Sequence, residues 1–161
     1  MSISKLSELQ FRLHNYRLDK RVFPTLLVKS LVQSMEEQGI PKEVSLAGTG
    51  IELSADAVTY QQRIDQLSNM LDLQGMNGAW LVPPGTASIS DYGLLGSAMM
   101  STANLEQAVQ IAVKYYKMGG AMFELALDVD GDDAVLRIEH LLPGGRVGQY
   151  IVEELFAGIS R

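Results

Sequence analysis

The hydrophobic period of the chain changes at Gly119-Gly120. Before it, apolar residues recur at helical spacing; directly after it, they alternate. Leu27, Leu31 and Met35 recur every fourth residue with Val28 and Val32 beside them, which predicts a helix over 25–38. Pro24 suits its first turn, where a missing N–H costs nothing. Gly39 suits the left-handed position after its last turn, and Pro41 prevents continuation. Residues 44–51, VSLAGTGI, predict a loop or short helix with a tight backbone turn. Thr59 and Gln62 have capping-box spacing, so a helix is expected from Thr59, with Tyr60, Ile64, Leu67 and Leu71 on one face. Asn104, with Gln107 three residues on, opens another, running to about Lys117. Leu105, Ala108, Val109, Ala112, Val113 and Tyr116 are expected to face inward there.

Beyond the double glycine, Phe123, Leu125, Leu127 and Val129 alternate with Glu124, Ala126 and Asp128. A second alternating run covers 134–140. Asp130 to Asp133 lie between, with Gly131 available for positive φ, which is a β-hairpin signal. After a break at Pro143 to Gly145, residues 149–159 form an amphipathic helix with Ile151, Leu155 and Ile159 on one face. Two strands do not make a self-sufficient sheet, so either helices cover the hairpin or a third strand is supplied from beyond Arg161 or by a partner chain. The expected fold is α+β: a mainly helical N-terminal part, then a small antiparallel hairpin or sheet packed against helices. Two segments between these elements are less regular. Residues 75–90 carry Gly75, Gly78, Pro83, Pro84 and Gly85, with Trp80 and Leu81 needing burial, and suggest a short helix and a loop across the core. Residues 92–100 are small and apolar, and Gly93 and Gly96 permit close approach of a second element.

A length of 161 residues predicts one domain. We expect an N-terminal leader over 1–22, holding Arg12, Arg17, Lys20 and Arg21, and a domain over 23–161. A net charge of -6 and a pI near 4.8 make the chain a poor candidate for coating a phosphate backbone by itself. The absence of cysteine removes disulfides, iron–sulfur clusters, thiolate zinc sites and thiol nucleophiles, and fits a reducing compartment. No apolar run approaches the roughly 18 residues of a membrane helix.

Asp128, Asp130, Asp132 and Glu139 resemble part of a calcium loop, but Asp133 stands where the sharp-turn glycine belongs. Both flanks also alternate as strands, so a charged hairpin turn is expected. His14 and His140 have no ligand spacing, and neither a metal nor a cofactor is expected. No G-x-S-x-G elbow, phosphate loop or G-x-G-x-x-G occurs. Glu153-Glu154 reads as a solvated helix face. Nothing assembles a nucleophile, a base and an oxyanion donor, so no enzyme is expected. What remains is apolar and aromatic material, namely Trp80, Tyr92, Met99, Met100, Tyr115, Tyr116, Met118 and Met122. Such residues line adaptable pockets as well as cores. Trp80, Tyr92, Met99 and Tyr116 are the candidate ligand contacts. Arg137, with Lys114, is the candidate partner for an anionic ligand, although Arg137 is also explained as an exposed strand residue.

Several pieces, in order, resemble a known family. They are Leu46-Ala47-Gly48-Thr49-Gly50-Ile51, then Gln61 or Gln62, then Asn69. Next come Ser90-Asp91-Tyr92-Gly93-Leu94-Leu95-Gly96-Ser97-Ala98, Asn104-Leu105-Glu106-Gln107-Ala108-Val109, and Tyr115-Tyr116. The chain is similar, from about Phe23 to Phe156, to the N-terminal effector domain of AraC/XylS-type transcription regulators. The relevant branch carries a domain called arabinose-binding by name, without implying that sugar. Asn104-Leu105 replaces a commoner Thr-Leu, a harmless exchange of caps. Lys117 to Gly120 replace a more apolar end. The resemblance implies a cytoplasmic bacterial regulator whose N-terminal domain senses a small-molecule effector and forms a homodimer. DNA would be read only by a C-terminal helix-turn-helix domain. No recognition-helix pattern occurs up to Arg161, so a fragment or a stand-alone sensor is expected. Family effectors are diverse, and no class is singled out by these residues. Two alternatives differ in kind. One is a dimerisation module without a ligand. The other is a haem or gas sensor, whose Tyr-x-Ser-x-Arg signature this sequence lacks.

Overall fold

Helix α1 (Thr25–Glu37) forms where its spacing predicts, and its apolar stripe is wide enough to serve two cores. Leu27, Val28 and Val32 join Phe23, Val58, Tyr60, Met122 and Phe123 in one cluster. Leu31 and Met35 join Leu67, Met70, Leu71 and Tyr150 in the other. Val28 and Met35 are fully buried, each contributing about 1.5–3 kcal/mol by transfer from water. These relations belong to a computed structural model that describes residues 18–73, 88–116, 122–131, 133–140 and 145–159.

The chain enters α1 from strand β1 (Arg21–Pro24), which pairs antiparallel with β2 (Ala57–Thr59). Arg21 and Val22, the last two residues of the expected leader, therefore lie in a sheet. Strands of four and three residues carry too little alternation to read. Pro24 is not inside the first helical turn as expected. It precedes it, with φ -53° and ψ 131°, and the Thr25 N–H donates to the Asp56 carbonyl at 3.0 Å.

Helix α2 (Lys42–Ser45) is the short helix foreseen near 44–51, and Gly48 and Gly50 after it take positive φ. The Thr49 hydroxyl donates to the Leu46 carbonyl at 2.9 Å and accepts from the Ile51 N–H at 3.2 Å. Helix α3 (Tyr60–Leu73) opens with a reciprocal capping box. The Gln62 N–H donates to Thr59 Oγ1 at 3.1 Å, and the Thr59 N–H to Gln62 Oε1 at 2.9 Å. Gln62 Nε2 also donates to the Gly50 carbonyl at 2.7 Å. Asn69 Nδ2 donates to the carbonyls of Ser45 at 3.1 Å and Ala47 at 2.8 Å. Two side chains of α3 thus staple the glycine-punctuated loop.

A single 3-10 turn (Ile89–Tyr92) precedes α4 (Leu94–Met100) and α5 (Leu105–Tyr115). Gly93 reverses the chain between turn and helix at φ 61° and ψ -125°, a conformation that a Cβ forbids. A Cβ on Gly96 would stand 1.8 Å from the Ile89 carbonyl oxygen, so the turn lies directly on α4. Asp91 Oδ2 accepts from the Ser88 N–H at 2.9 Å and from the Ser30 hydroxyl at 2.8 Å, which ties the turn to α1. Asn104 caps α5 by accepting from the Gln107 N–H at 2.9 Å. The Gln107 side chain returns to the Ala103 N–H, one residue earlier than a capping box requires. The inward face expected of α5 is covered only in part: Ala108, Val109, Ala112 and Val113 are half-buried, whereas Leu105 is 72% exposed. The main neighbours of α5 among the described residues are α4 and β3, which cover only part of its apolar face.

Strands β3 (Phe123–Asp130) and β4 (Asp133–His140) form the expected hairpin, in register from Phe123 opposite His140 to Asp130 opposite Asp133. Helix α6 (Gly145–Ile159) starts four residues earlier than its pattern suggests. The Arg146 guanidinium explains this anchoring, because it donates to the Leu71 carbonyl and pairs with Asp72 at the end of α3. Ile151 and Leu155 of α6, with Leu125 and Ile138 of the hairpin, pack against the first core cluster. The architecture is α+β, helices with two small antiparallel sheets among the described residues. Among the described residues the hairpin sheet has two strands, and Val129 and Val135 near its tip stay more than half exposed. Residues 74–87, with Trp80 and Leu81, lie outside the described residues.

Candidate functional site

The junction of these elements encloses a recess of about 380 Å³ including its mouth, of which about 30 Å³ is room for water-sized contents. Phe23 of β1, Leu27 of α1 and Leu67 of α3 give it an apolar base, and Met122 and Ile151 extend that surface. Four polar side chains complete the lining: Arg63 of α3, Tyr92 of the 3-10 turn, Tyr116 beyond α5, and Glu154 of α6.

Arg63 is only 5% exposed. Its position follows from helical spacing, three residues after Tyr60 and four before Leu67, on the buried stripe of α3. Its Nη1 donates to Gln66 Oε1 at 2.7 Å, and the fully buried Gln66 donates in turn to the Val28 carbonyl at 3.3 Å. This relay fixes the guanidinium against α1. Glu154 follows Tyr150 by four residues and Ile151 by three, so it shares their inward face. Burial raises its carboxyl pKa above 4.5, and the charge of Arg63 pulls it part of the way back. The recess thus holds both signs of charge in apolar surroundings, where Coulomb attraction is several-fold stronger than in water.

The Tyr92 and Tyr116 rings are 6.3 Å apart and tilted by 42°, and Tyr116 lies 5.3 Å from Phe123. Their hydroxyls hydrogen-bond to one another. Burial, then the charge of Glu154, pushes the Tyr92 hydroxyl up to about 12, with Arg63 and the bond from Tyr116 acting against them. Burial carries Tyr116 well above 10. Both phenols stay neutral at physiological pH and can each donate and accept one hydrogen bond.

The arrangement can recognise a polar molecule through one cation, one carboxyl and two phenols. It presents no activated nucleophile. Among the described residues no group of three or more His, Asp or Glu side chains could hold a metal ion, and no helix is long and apolar enough to cross a membrane. Of the residues singled out in the sequence, Tyr92 and Tyr116 meet in the recess. Met99 stands half-buried on α4 and does not line it. Arg137 is on the hairpin, paired with Asp128 at 2.7 Å, with both side chains more than half exposed. This is a diagonal cross-strand pair, since Arg137 stands opposite Ala126. Lys114 lies over the Tyr115 ring, 5.2 Å from its centre, at the surface. Trp80 lies outside the described residues. Arg63 and Glu154 are not among the residues that the sequence singles out for a site. Glu154, which with Glu153 reads as a solvated helix face, turns inward. The signal that could have found both is their place on the apolar stripe of their own helices.

Residues 85–161 match a family model described as the arabinose-binding domain of AraC transcription regulator, N-terminal. The ornithine utilization regulator of Pseudomonas aeruginosa is 40% identical over 70 residues, 44% of this chain and 21% of that protein. Uncharacterized HTH-type transcriptional regulators of Mycobacterium bovis and Mycobacterium tuberculosis are each 24% identical over 148 residues, 84% of this chain and 41% of theirs. The matches thus span between 21% and 41% of the length of these curated relatives. No solved structure matches significantly. The matched stretch supplies Tyr92, Tyr116, Met122, Ile151 and Glu154 to the recess, and over residues 85–161 the chain is similar to the arabinose-binding N-terminal domain of AraC transcription regulators.

Proposed function

We propose that residues 23–161 are the effector-sensing and dimerising part of a cytoplasmic AraC-type regulator, and that the recess at Arg63, Tyr92, Tyr116 and Glu154 receives a small-molecule effector. The observation that carries this reading is the position of the recess. Its lining comes from β1, α1, α3, the 3-10 turn, the end of α5, and α6. A molecule held there touches elements from both halves of the chain at once, and so favours one packing of them over another. Such differential affinity is what an effector needs in order to shift a population. DNA contact is assigned to a helix-turn-helix domain that regulators of this type carry C-terminal to the sensor, in keeping with the acidic charge of this chain. The enclosed room holds only one or two waters, so an effector must widen the recess as it enters. That requirement couples occupancy to the packing of α6 on α3.

A thermal-shift screen of the chain against organic acids, amino acids, fatty acids, sugars and cyclic dinucleotides tests the reading. A saturable rise in melting temperature is expected for one class, about 2.7 kcal/mol of stabilisation at a hundredfold excess over Kd. Replacement of Tyr116 by Phe should weaken it. A folded chain that no compound stabilises refutes the sensor. A second reading, a dimerisation module without ligand, is favoured by the apolar face of α5, where Leu105 is 72% and Tyr115 41% exposed. Sedimentation of Leu105→Glu against the parent chain separates the two. Loss of a dimer with no ligand response supports the module.

A further inference from the structure

Building on the sensor reading above, we propose that the ligand is amphoteric: a small molecule carrying both a carboxylate and a protonated amine on a short apolar body. The carboxylate pairs with Arg63 and the ammonium with Glu154, while Tyr92 and Tyr116 hydrogen-bond the atoms between. The argument is one of charge balance. The recess is apolar at its base and contains one buried guanidinium and one carboxyl on different helices, α3 and α6. A molecule that widens the recess separates these two groups and must replace the attraction each had for the other. A buried charge left without a partner is strongly unfavourable. A plain anion satisfies Arg63 but stands beside a second negative group. A plain cation satisfies Glu154 but stands beside a positive one. A neutral molecule leaves both charges to separate without compensation. Only a molecule with both signs keeps every charge opposed and the site neutral. The fixed guanidinium supports this division of labour. Gln66 holds Arg63 against α1 from within. Glu154 lies on a different helix, α6, and burial raises its carboxyl pKa there. The phenols fit the middle of such a ligand, because Tyr92 keeps its O–H to donate while Tyr116, which donates to Tyr92, keeps a lone pair to accept.

The test uses the 161-residue chain and three matched sets of probes: free amino acids with the amine at the α or a terminal carbon, their N-acetyl derivatives, and the corresponding amines without carboxylate. At least one free amino acid should raise the melting temperature saturably. Its N-acetyl and decarboxylated counterparts should bind roughly 10–100-fold more weakly, the effect of losing one charge-assisted hydrogen bond. Glu154→Gln should then narrow or reverse the gap between the free amino acid and its N-acetyl derivative. A merely structural Glu154 would lower all affinities alike. Arg63→Lys keeps the charge and should retain the preference for free amino acids. Equal binding of an amino acid and its N-acetyl derivative overturns the proposal. So does stabilisation by an uncharged or purely anionic compound when no free amino acid acts, an outcome that leaves the sensor reading standing. If no compound of any class acts on a folded chain, the sensor reading falls and this inference falls with it.

Discussion

Replacing Gly96 by Ala would test how the 3-10 turn rests on α4. The new methyl carbon would fall 1.8 Å from the Ile89 carbonyl oxygen and 2.7 Å from the carbonyl carbon. Carbon and oxygen in close contact settle at roughly 3.3–3.6 Å, so the turn must retreat by about 1.5 Å. The obstacle is backbone and cannot rotate aside. Retreat strains the two bonds that Asp91 accepts, from the Ser88 N–H and the Ser30 hydroxyl, and draws Tyr92 away from the recess. Overpacking costs about 1–3 kcal/mol, and each hydrogen bond lost adds about 1. A total of about 3–5 kcal/mol is expected, or a fall in Tm of roughly 6–20 °C for a chain of this size. The assay is thermal unfolding followed by circular dichroism. Near-ultraviolet spectra taken below the transition report the surroundings of Tyr92. Ala98→Ser, an exposed change on the same helix, is the control and should move Tm little. A Gly96→Ala chain that melts within about 2 °C of the parent, with an unchanged tyrosine spectrum, refutes the packing of turn on helix.

Glu154 makes stability depend on pH, with a definite sign. Its folded carboxyl binds a proton more tightly than the ordinary 4.5. Between that value and the raised one, the folded chain keeps a proton that the unfolded chain has released, so stability falls as pH rises through the window and stays lower above it. Urea unfolding of Glu154→Gln across the same range should show a shallower fall; an identical profile removes Glu154 as its source. Asn69→Ala should cost about 2 kcal/mol in chemical denaturation, because two bonds to the Ser45 and Ala47 carbonyls are lost. Little change would detach α3 from the glycine-punctuated loop. Arg137→Ala should change stability by less than about 1 kcal/mol, since its pair with Asp128 is exposed, and should leave ligand affinity untouched in calorimetry. Thr25→Val should hold or raise Tm, because the buried Thr25 hydroxyl has no hydrogen-bond partner among the described residues and the exchange removes a desolvated polar atom.

The parts of the fold legible in the sequence are those where a local rule decides alone. Helix α1, the capping box at Thr59 and Gln62, the cap at Asn104 and the hairpin turn at Gly131 all follow from neighbours within four residues. The pair of β1 with β2 did not, because Phe23 and Val58 meet across 35 residues and each strand is too short to show a period. Helix α5 shows the opposite failure. Its amphipathic pattern is strong, yet Leu105 is exposed, because periodicity says which face is apolar and not what covers it. For the site, aromatic content pointed to Tyr92 and Tyr116, which do line the recess. It also pointed to Arg137 as the anion partner, which instead lies on the hairpin surface. Charged residues ordinarily prefer solvent, and Arg63 and Glu154 are where that preference gives way. The residues that carry the family resemblance turn out largely to build the frame. Gln62 and Asn69 staple a loop, and Gly93 and Gly96 set a turn on a helix.

The recess takes its lining from both sides of residue 85. Phe23, Leu27, Arg63 and Leu67 come from before the stretch matched to the family, and the remaining wall comes from within it. A match over residues 85–161 therefore samples only one wall of the recess, and any comparison meant to read the whole lining has to include α1 and α3.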